Sequence, residues 1–498
     1  ESFMLKVLVA NRGEIAIRIL RACREMGLPS VAVYTDVDQL ALHVRHADEA
    51  VPLGDRHNYL DAQVLIDAAL RTGASAIHPG YGFLSENADF ARRVEAAGLV
   101  FIGPRPETLA LLGDKLAARQ AAHQAGLPVL PGSDTPLPPQ VPLEMARSVH
   151  YPVLVKAVAG GGGRGIRLAL SPKDLAPMVS AARQEALAAF GDDTVYLESL
   201  VQDARHIEVQ ILGDGRGHVI DLGERECSIQ RRRQKLIEEA PAPLIDEDLR
   251  RRLCELARRL GRQLKYRGLG TIEFLLDGRG QYYFIEANPR IQVEHPVTEM
   301  VTGLDLVKEQ LSLACGEPLR LHQRDVITRG HAIEARLLAE DCQNGFMPVA
   351  GAIQYLKEPG GPGVRVDSAL YPGALITPEY DSMLAKVITW GETRRGAIQR
   401  MRGALSEYQV GGIPTDLEFL LQIIDSPEFL SGQFTTTYLE TFQPADPAPE
   451  NELERAMALA AVMYLQQRTP GATTSTNAAP APSQWTNTAW REQMHGFH

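Results

Sequence analysis

One stretch of this chain restricts its fold more than any other: residues 271–299, TIEFLLDGRGQYYFIEANPRIQVEHPVTE. Two strand-like runs flank the sequence DGRG at 277–280, a strong turn signal that is typical of a β-hairpin. A loop of two or four residues would place position 276 opposite 281 and position 271 opposite 286. Because alternate residues of a strand share a face, Glu273, Glu286 and Asn288 are then expected to point the same way.

Two carboxylates and an amide at this spacing predict a metal site. Diagonal neighbours across a hairpin lie roughly 7–8 Å apart, and Mg²⁺ prefers oxygen ligands and keeps its waters for phosphates. A solvated polar face is the plainer interpretation of carboxylates on a strand. The runs are otherwise apolar, with Phe274, Leu275, Tyr283, Phe284 and Ile285. Buried carboxylates without partners are costly, so the pattern favours the metal site.

Polar side chains without helical or strand periodicity follow the hairpin: Arg290, Gln292, Glu294 and His295. This density is typical of a site. Glu294 is the best candidate for a general base, because a carboxylate beside Arg and Lys side chains is ionised at neutral pH and can accept a proton. His295 precedes Pro296, and we expect it to pack rather than to react.

Composition sets broad limits on the class of protein. With 498 residues, the chain is expected to form two to four structural units. Its net charge of −11 argues against wholesale binding of nucleic acid or of anionic membranes. No apolar run approaches transmembrane length, and the N-terminus lacks the order of a signal peptide. The five cysteines form no CxxC pair, which indicates a reducing compartment and neither a zinc site nor a disulfide framework.

The first part of the chain alternates strands and helices. Strands are predicted at 5–10, 31–35, 75–78 and 100–102, with helices at 14–26 and 61–72. This order predicts a doubly wound parallel sheet over about 5–113. The turn Asn11-Arg12-Gly13 is not GxGxxG, so a dinucleotide site has little support. The loop HPGYGFLSEN at 78–87 leaves a strand end, where it could be a ligand site or only scaffold.

Further units follow. Residues 131–142 are rich in turn-forming residues and predict a linker. A compact unit comes next, with strands at 153–158, 166–170 and 194–198 and a helix at 172–190. A larger mixed α/β unit contains the hairpin. The sequence predicts an amphipathic helix at 449–467 and a flexible segment at 469–483. We therefore expect domains at 4–127, 128–201 and 202–446, with a helix and linker at 447–498.

A glycine loop, AGGGGRG at 159–165, joins two of these strands. Its bare N–H groups could wrap phosphates, or it could be a flexible hairpin loop. Lys156 lies three residues before the loop and could reach the same phosphates as a point charge. The loop is not a Walker A sequence. Lys115, beside Gly113, is a second lysine next to a glycine and by itself would be interpreted as exposed.

Two further segments are candidates for binding nucleotide. Glu198 ends a strand, and the edge that continues through Val201 suits a purine, because it offers backbone N–H and C=O groups. His206 lies on the polar face of its predicted strand, where a structural role and a role as ligand are equally possible. The basic run CSIQRRRQK at 227–235 is either a solvated face neutralised by Glu238 and Glu239 or an anion site for triphosphate or bicarbonate.

These residues resemble the ATP-grasp enzymes and, among them, biotin carboxylase. The similarity covers about residues 5–445, and the QVEHPVTE box is its most specific part. The boxes that carry it are LVANRGEIAIRILRA (8–22), HPGYGFLSEN (78–87), FIGP (101–104), GDK (113–115), VKAVAGGGGRG (155–165), RHIEVQ (205–210), ERECSIQRRRQK (224–235), EEAPAP (238–243), IEANPRIQVEHPVTE (285–299) and YDSMLAKVI (380–388).

The resemblance implies a mixed α/β fold: an N-terminal doubly wound sheet, an ATP-grasp lid and a large C-terminal domain. It implies that bicarbonate attacks ATP to form carboxyphosphate, which then carboxylates biotin. The implied nucleotide-binding residues are Lys115, Lys156, Gly162, Gly163, Glu198, Ser199, Leu200, Val201, His206, Gln230, Arg233, Glu273 and Glu286.

The remaining roles implied by the resemblance concern the metal and the reacting groups. Mg²⁺ or Mn²⁺ would be held by Glu273, Glu286 and Asn288. Bicarbonate would be bound by Lys235, Arg290, Gln292 and Val293. Glu294 would remove its proton, and Arg336 would stabilise the biotin enolate.

The sequence departs from the family pattern at three positions. Arg233 stands where a histidine near the ribose is usual, which puts that contact in doubt because arginine is bulkier and charged. Ala159 replaces the first glycine of the lid, and Ile166 replaces a common methionine near the adenine. We expect both changes to have small effects.

The resemblance also implies partners. The sequence has no Ala-Met-Lys-Met motif, so biotin is expected on a carrier domain in another chain or region, with a carboxyltransferase as further partner. Residues 449–498 are similar to the run that leads toward such a carrier in acyl-CoA carboxylase α-subunits. The helix with Arg18, Arg21 and Glu25 corresponds to a homodimer face. A bacterial cytoplasmic location is expected, with the mitochondrial matrix as an alternative.

Two other functions stay open. Another ATP-grasp ligase, of the carbamoyl-phosphate type, would share the lid and the metal hairpin but not Arg290, Gln292, Glu294 and Arg336 together. A catalytically silent nucleotide-binding subunit would explain Arg233 as a sign of decay, although decay usually removes metal ligands as well.

Overall fold

The computed structural model describes residues 5–138, 141–148, 150–159, 165–445 and 460. Residues Glu1–Gln443 group into one compact unit and Pro444–His498 into a second. The helix predicted at 449–467 and the flexible segment predicted at 469–483 lie outside the described residues, apart from residue 460 in the helix, so both stay predictions. The domain boundaries predicted at 127/128, 201/202 and 446/447 also stay predictions.

Residues 5–127, all described, form a five-stranded parallel sheet in the order β3-β2-β1-β4-β5. Helix α1 packs on one face with Val7 and Val9, whereas α3 and α4 pack on the other with Leu8 and Ile77. The predicted doubly wound sheet is confirmed. Its elements are β1 (Val7–Val9), α1 (Gly13–Glu25), β2 (Ser30–Thr35), α2 (Leu42–His46), β3 (Glu49–Gly54), α3 (Ala62–Thr72), β4 (Ala76–His78), α4 (Ala88–Ala96), β5 (Val100–Phe101), α5 (Pro106–Gly113) and α6 (Lys115–Gln124).

The described part of residues 128–201 forms a three-stranded antiparallel sheet, β7-β6-β8, covered by a long helix. Its elements are α7 (Leu143–Ser148), β6 (Val153–Ala157), β7 (Ile166–Ala169), α8 (Pro172–Phe190) and β8 (Val195–Ser199). The predicted strands are correct to within one residue at either end. The linker prediction is wrong for 131–138, because Ser133 N–H donates to Leu197 O (3.0 Å) and Leu137 N–H donates to Val195 O (2.8 Å).

Residues 202–445, all described, contain an eight-stranded sheet in the order β13-β12-β9-β10-β11-β14-β21-β19, in which every paired strand is antiparallel. Its elements up to residue 341 are β9 (Arg205–Asp214), β10 (Val219–Arg231), β11 (Gln234–Ala240), α9 (Glu247–Gln263), β12 (Arg267–Leu276), β13 (Tyr282–Asn288), α10 (His295–Thr302), α11 (Leu306–Ala314), β14 (His331–Leu338) and β15 (Glu340–Asp341). The remainder are β16 (Met347–Pro348), β17 (Gly351–Ala352), β18 (Tyr355–Lys357), β19 (Val364–Ser368), β20 (Leu375–Ile376), β21 (Met383–Gly391), α12 (Arg394–Glu407), β22 (Gln409–Gly411), α13 (Leu417–Asp425), α14 (Pro427–Ser431) and α15 (Tyr438–Thr441).

The two faces of this sheet differ in chemistry. On one face, Ile333, Ala335 and Val387 belong to the apolar core formed with helices α12 and α13. Leu337 and Ala385 belong to the same core. Because side chains alternate along a strand, Arg336 and Lys386, each of which lies between two of these core residues, are on the opposite face. Helix α10 and the loop before it cover that face. The polar face therefore faces the loop that the sequence singled out.

Among the described residues, no helix combines the length and apolarity that crossing a membrane requires.

Candidate active site

The predicted register of the hairpin is wrong, but Glu273, Glu286 and Asn288 do lie on one face, as that register implied. Strand β12 pairs with β13 so that Thr271 lies opposite Asn288 and Glu273 lies directly opposite Glu286. Between Glu273 and Phe274 the register shifts, because β13 contains a β-bulge at Ile285. Without that extra residue, Glu286 would share the apolar face of Phe284. The bulge turns the carboxylate to the face of Glu273.

The residues at this place fit a hard divalent cation. Glu273, Glu286 and Asn288 offer oxygen ligands, which Mg²⁺ and Mn²⁺ prefer. Asn288 Nδ2 donates a hydrogen bond to Glu273 Oε1, so both side chains lie on the same face. Glu286 is half-buried, and it lies close enough to Lys115 and Lys156 to affect the pKa of each lysine. To present its oxygen to a metal, the Asn288 amide would have to turn over.

Two other groups of buried donors lie close together in the described part of the chain: His206, Glu208 and Glu273, and Glu208, Cys227 and Glu294. Both contain Glu208, whose oxygens are occupied by Arg225 and by Lys235 Nζ at 2.6 Å. Burial also raises the pKa of the Cys227 thiol well above its ordinary value, so it is a protonated thiol. These groups are therefore better explained as ion pairs than as metal sites.

A buried ion cluster lies beside the hairpin. We call it the front cluster, and it consists of Glu208, Arg225, Lys235, Glu238, Glu273, Glu294 and Arg336. Lys235 Nζ lies 2.6 Å from Glu294 Oε1, 2.6 Å from Glu208 Oε2 and 3.5 Å from Glu273 Oε1. Arg336 Nη2 lies 2.8 Å from Glu294 Oε2 and also pairs with Glu238 Oε1. One ammonium is thus shared among three carboxylates.

Glu294 is a completely buried carboxylate held between two cations. Burial by itself would raise its pKa, but Lys235 and Arg336 outweigh burial and lower the pKa well below the ordinary value. The side chain is therefore ionised at neutral pH, as the sequence predicts. For Glu273, Lys235 and His206 likewise outweigh burial and lower the pKa. Its Oε2 lies 2.6 Å from His206 Nε2.

The loop between β13 and α10 brings the other predicted side chains to the same place. Gln292 Nε2 donates to Glu273 Oε1 (2.9 Å), and Arg290 Nη1 donates to Gln292 Oε1 (2.9 Å). Arg290 Nε donates to Glu86 Oε1 (2.5 Å), in the loop 78–87. The sequence left that loop open between site and scaffold. Its Glu86 contacts the site, and no local signal identified that residue.

The predicted phosphate-binding lysines lie together. Lys156 Nζ lies 2.7 Å from Glu198 Oε2. Burial would lower the pKa of Lys156, but Glu198 and Tyr196 raise it above the ordinary value. Burial lowers the pKa of Lys115, which is half-buried, so the expectation of an exposed Lys115 is wrong. Gly162 and Gly163 lie outside the described residues, and their role stays a prediction.

The predicted purine-binding edge is partly occupied by the chain itself. Ser199 N–H donates to Pro131 O (2.8 Å), and Leu200 N–H donates to Pro152 O (3.1 Å). Those two N–H groups are therefore engaged, and any adenine contact at residues 198–201 would use other groups, such as those of Val201. His206 is buried, and its Nδ1 lies 2.8 Å from Gln230 Nε2.

The basic run at 227–235 divides into separate environments. Lys235 belongs to the front cluster, whereas Arg231 pairs with Glu340 and lies over the ring of Phe346. Arg233 has a positive φ of 65° in the turn between β10 and β11 and is exposed. The expectation that Glu238 and Glu239 neutralise the run is wrong for Glu239, whereas Glu238 lies close enough to Lys235, the last residue of the run, to be affected by its charge. Glu238 pairs with Arg336, and Glu239 pairs with His331 and Arg394.

A second buried ion cluster lies behind the loop. We call it the rear cluster, and it consists of Glu14, Arg18, Glu299, Arg365, Asp367 and Lys386. Arg18 and Arg365 each approach Glu299 to 2.7 Å, and Arg365 approaches Asp367 to 2.7 Å. Lys386 Nζ lies 3.2 Å from Glu14 Oε1. Arg18, predicted for a homodimer face, is thus buried in its own chain. His295 is also buried, with Nδ1 2.7 Å from Gln292 O, so it packs as expected.

Comparison with known proteins agrees with this geometry. Residues 3–109 match the model of the biotin carboxylase N-terminal domain. Residues 114–322 match that of the carbamoyl-phosphate synthase L chain ATP binding domain. Residues 334–441 match that of the biotin carboxylase C-terminal domain. A biotin carboxylase of Nostoc sp. is 52% identical over 439 residues, which are 87% of this chain and 98% of that protein.

Solved structures give the same result. A complex of Campylobacter jejuni biotin carboxylase with β-γ-ATP has a TM-score of 0.85 at 43% identity, over 88% of this chain and 98% of that one. The biotin carboxylase domain dimer of Hydrogenobacter thermophilus 2-oxoglutarate carboxylase, in complex with MgADP, ADP and bicarbonate, has a TM-score of 0.84 at 47% identity, over 87% of this chain and 97% of that one. The chain belongs to the biotin carboxylase family.

Proposed function

We propose that this chain carboxylates biotin with bicarbonate and ATP, and that the reaction takes place at the front cluster. One observation carries the assignment of the residues. Glu294 is an ionised, buried carboxylate between Lys235 and Arg336, at the end of a loop that also carries Arg290 and Gln292. A base, anion-binding cations and an amide donor therefore lie within one site.

The first step is the activation of bicarbonate. Lys235 and Arg290 supply positive charge for the anion, and Gln292 and the backbone of Val293 orient it. When bicarbonate takes over part of the charge of Lys235, one oxygen of Glu294 becomes free to accept the bicarbonate proton. The oxygen that loses this proton attacks the γ-phosphorus of ATP. The bond from phosphorus to the bridging oxygen breaks, and ADP leaves with its electron pair.

The nucleotide is held at the other end of the hairpin. Lys115 and Lys156 supply positive charge for its phosphates, and Lys156 would exchange Glu198 for a phosphate oxygen. Glu273, Glu286 and Asn288 would hold Mg²⁺ or Mn²⁺, which neutralises charge on the phosphates during transfer. Gly162 and Gly163 are proposed to close over the phosphates, and His206, Gln230, Arg233 and the segment 198–201 to line the rest of the pocket.

The second step transfers carbon dioxide to biotin. Carboxyphosphate cleaves its C–O bond to give carbon dioxide and phosphate. The phosphate takes the ureido N–H proton of biotin, and the nitrogen then attacks carbon dioxide. Arg336 faces the same site and stabilises the enolate oxygen of the deprotonated ureido group. Its guanidinium is held for this purpose by Glu294 and Glu238.

Partners and a location can be proposed in addition to the reaction at the site. We propose that biotin arrives on a carrier domain, that a carboxyltransferase uses the carboxybiotin, and that two copies of the chain associate. The dimer of the Hydrogenobacter thermophilus domain supports the last of these. An acyl-CoA carboxylase is the proposed context, and the bacterial cytoplasm is the proposed location. All five cysteines lie among the described residues and are free thiols, which suits a reducing compartment.

Steady-state kinetics test the proposal. ATP hydrolysis with Mg²⁺ is measured with and without bicarbonate and free biotin, and carboxybiotin is trapped with ¹⁴C-bicarbonate. We expect hydrolysis to depend on bicarbonate and to rise with biotin. Hydrolysis that is indifferent to bicarbonate would contradict the proposal. Carbamoyl phosphate formed from ammonia, without carboxybiotin, would favour a ligase of the carbamoyl-phosphate type.

A further inference from the structure

Lys386 is a completely buried lysine on β21. It lies opposite Arg336 of β14 and opposite Asp367 of β19 in the sheet. Its Nζ donates a hydrogen bond to the carbonyl oxygen of Val293 (2.8 Å) and lies 3.2 Å from Glu14 Oε1 and 3.8 Å from Asp367 Oδ2. One side chain thus connects the rear cluster with the residue before Glu294.

The bond to Val293 restricts the orientation of a particular peptide unit. A trans peptide is planar, so its C=O and N–H groups point in opposite directions. With the Val293 carbonyl directed at Lys386, the Glu294 N–H must point away from the rear cluster. Lys386 thereby fixes the orientation of the backbone at Glu294. It does so from the side opposite to Lys235 and Arg336, which contact the Glu294 carboxylate.

We propose that Lys386 is a positioning residue for carboxylation, which holds the peptide between Val293 and Glu294 so that the Glu294 carboxylate stays in place when bicarbonate enters. The inference rests on the proposed role of Glu294 as the base. In the ligand-free site, Lys235 and Arg336 hold the carboxylate. Once bicarbonate shares the charge of Lys235, that restraint weakens, and the anchored backbone keeps the base within reach of the proton.

The groups around Lys386 keep it a cationic donor. Burial would lower its pKa, but Glu14 on α1, Glu334 on β14 and Asp367 on β19 outweigh burial and raise the pKa above its ordinary value, against an opposing effect of Arg365. Lys386 is therefore charged at neutral pH. A charged donor to a carbonyl is stronger than a neutral one.

A plainer role for Lys386 would be to balance the buried carboxylate of Glu14. A double-mutant cycle distinguishes the two roles. Glu14→Gln is the background, because it removes the carboxylate that Lys386→Met would leave unpaired. In that background, Lys386→Met should lower kcat for biotin carboxylation by about tenfold to a hundredfold and leave the KM for ATP within about twofold, an effect below about 0.5 kcal/mol.

The deciding measurement adds Glu294→Gln. Because Lys386 acts through Glu294, Lys386→Met should lower kcat little further once Glu294→Gln is present. An equal fold-loss of kcat with and without Glu294→Gln would overturn the proposal and indicate a general structural role. If the variant with Lys386→Met does not fold, as judged by circular dichroism, Lys386→Gln, which removes the charge and shortens the side chain, replaces it in the same cycle with the same criterion.

The cycle also separates this inference from the function on which it rests. If Glu294→Gln alone leaves kcat unchanged, Glu294 is not the base, and the assignment of the site fails. If Glu294→Gln abolishes turnover of biotin but Lys386→Met has no effect on kcat in the Glu14→Gln background, only the positioning role is refuted.

Discussion

The front and rear clusters are built from the same types of residue but differ in what they connect. Every member of the front cluster lies within residues 208–336, on strands of one sheet or in the loop before α10. The rear cluster joins α1, through Glu14 and Arg18, to α10, β19 and β21. Arg18 also lies 2.6 Å from Asp305, the residue before α11. The rear cluster thus links separate elements of the chain, whereas the front cluster surrounds Glu294, the proposed base.

The two clusters are therefore suited to different tasks. Ion pairs around the proposed base suit a place that must take up a proton, because bicarbonate can replace one of the partners. Ion pairs between distant elements suit a place that holds two parts of the chain together. Substitution of Glu294 in the front cluster should therefore affect mainly the rate of reaction, whereas substitution of Arg18 in the rear cluster should affect mainly the stability of the fold.

The largest effect is expected from Glu294→Gln. Loss of the base should lower kcat for biotin carboxylation by about 10²- to 10⁴-fold, while the midpoint of thermal unfolding changes little. Glu392→Gln, at an exposed carboxylate between β21 and α12, is the control and should leave both unchanged. A large fall in the unfolding midpoint of Glu294→Gln would contradict the distinction between the two clusters.

Arg18→Met tests the rear cluster. Removing this guanidinium leaves Glu299 with one cation fewer in a buried place, and the free energy of unfolding should fall by about 3–5 kcal/mol. Arg251→Met removes an exposed pair with Asp248 and should cost at most about 0.5 kcal/mol. Urea unfolding of both variants measures the difference. Equal stabilities would show that the rear cluster does not hold the fold together.

A pH series tests the burial of Glu238 in the front cluster. Burial raises the pKa of Glu238 from 4.5 to about 7, with Arg336 opposing the rise. The folded chain then binds this proton more tightly than the unfolded chain, so the stabilisation is present below pH 4.5 and is lost as the pH rises through 7. Relative to Glu238→Gln, the wild-type protein should lose on the order of 1–3 kcal/mol between pH 5 and pH 8.

Its neighbour Glu239 is the matched control for that series. Burial would raise the pKa of Glu239, but His331 and Arg394 outweigh burial and lower it below the ordinary value. Its stabilisation is therefore present above pH 4.5 and lost only as the pH falls further. Relative to Glu239→Gln, the wild-type protein should show no loss between pH 5 and pH 8. The same pH dependence in both comparisons would refute the assignment for Glu238.

The smallest effect is expected outside both clusters, at Arg233. An exposed cation contributes at most about 1 kcal/mol, so Arg233→His should change the KM for ATP by no more than about fivefold and leave kcat unaltered. Arg232→His, in the same turn, is the control and should change neither. A change confined to kcat would contradict the proposed place of Arg233 near the ribose.

The fold class and most residues of the candidate site follow from the amino-acid sequence alone. Alternation of strands and helices predicts the parallel sheet, because this periodicity depends only on near neighbours. Glu273, Glu286, Asn288, Arg290, Gln292 and Glu294 lie within one short stretch, so their common place follows from a hairpin and its loop. The similarity to a known family supplied Lys235 and Arg336, which no local pattern connects with Glu294.

Which charged groups pair with one another depends on the three-dimensional fold. The bulge at Ile285 turns the Glu286 side chain to the other face of the strand. The apolar pattern of the sequence does not show where such an extra residue lies. Glu86, Glu14 and Lys386 reach the site or its support from positions far away in the chain. Ion pairing depends on distance in space and on burial, so Glu239 pairs with His331 and Arg394 rather than with the nearby basic run. No property of adjacent residues shows this.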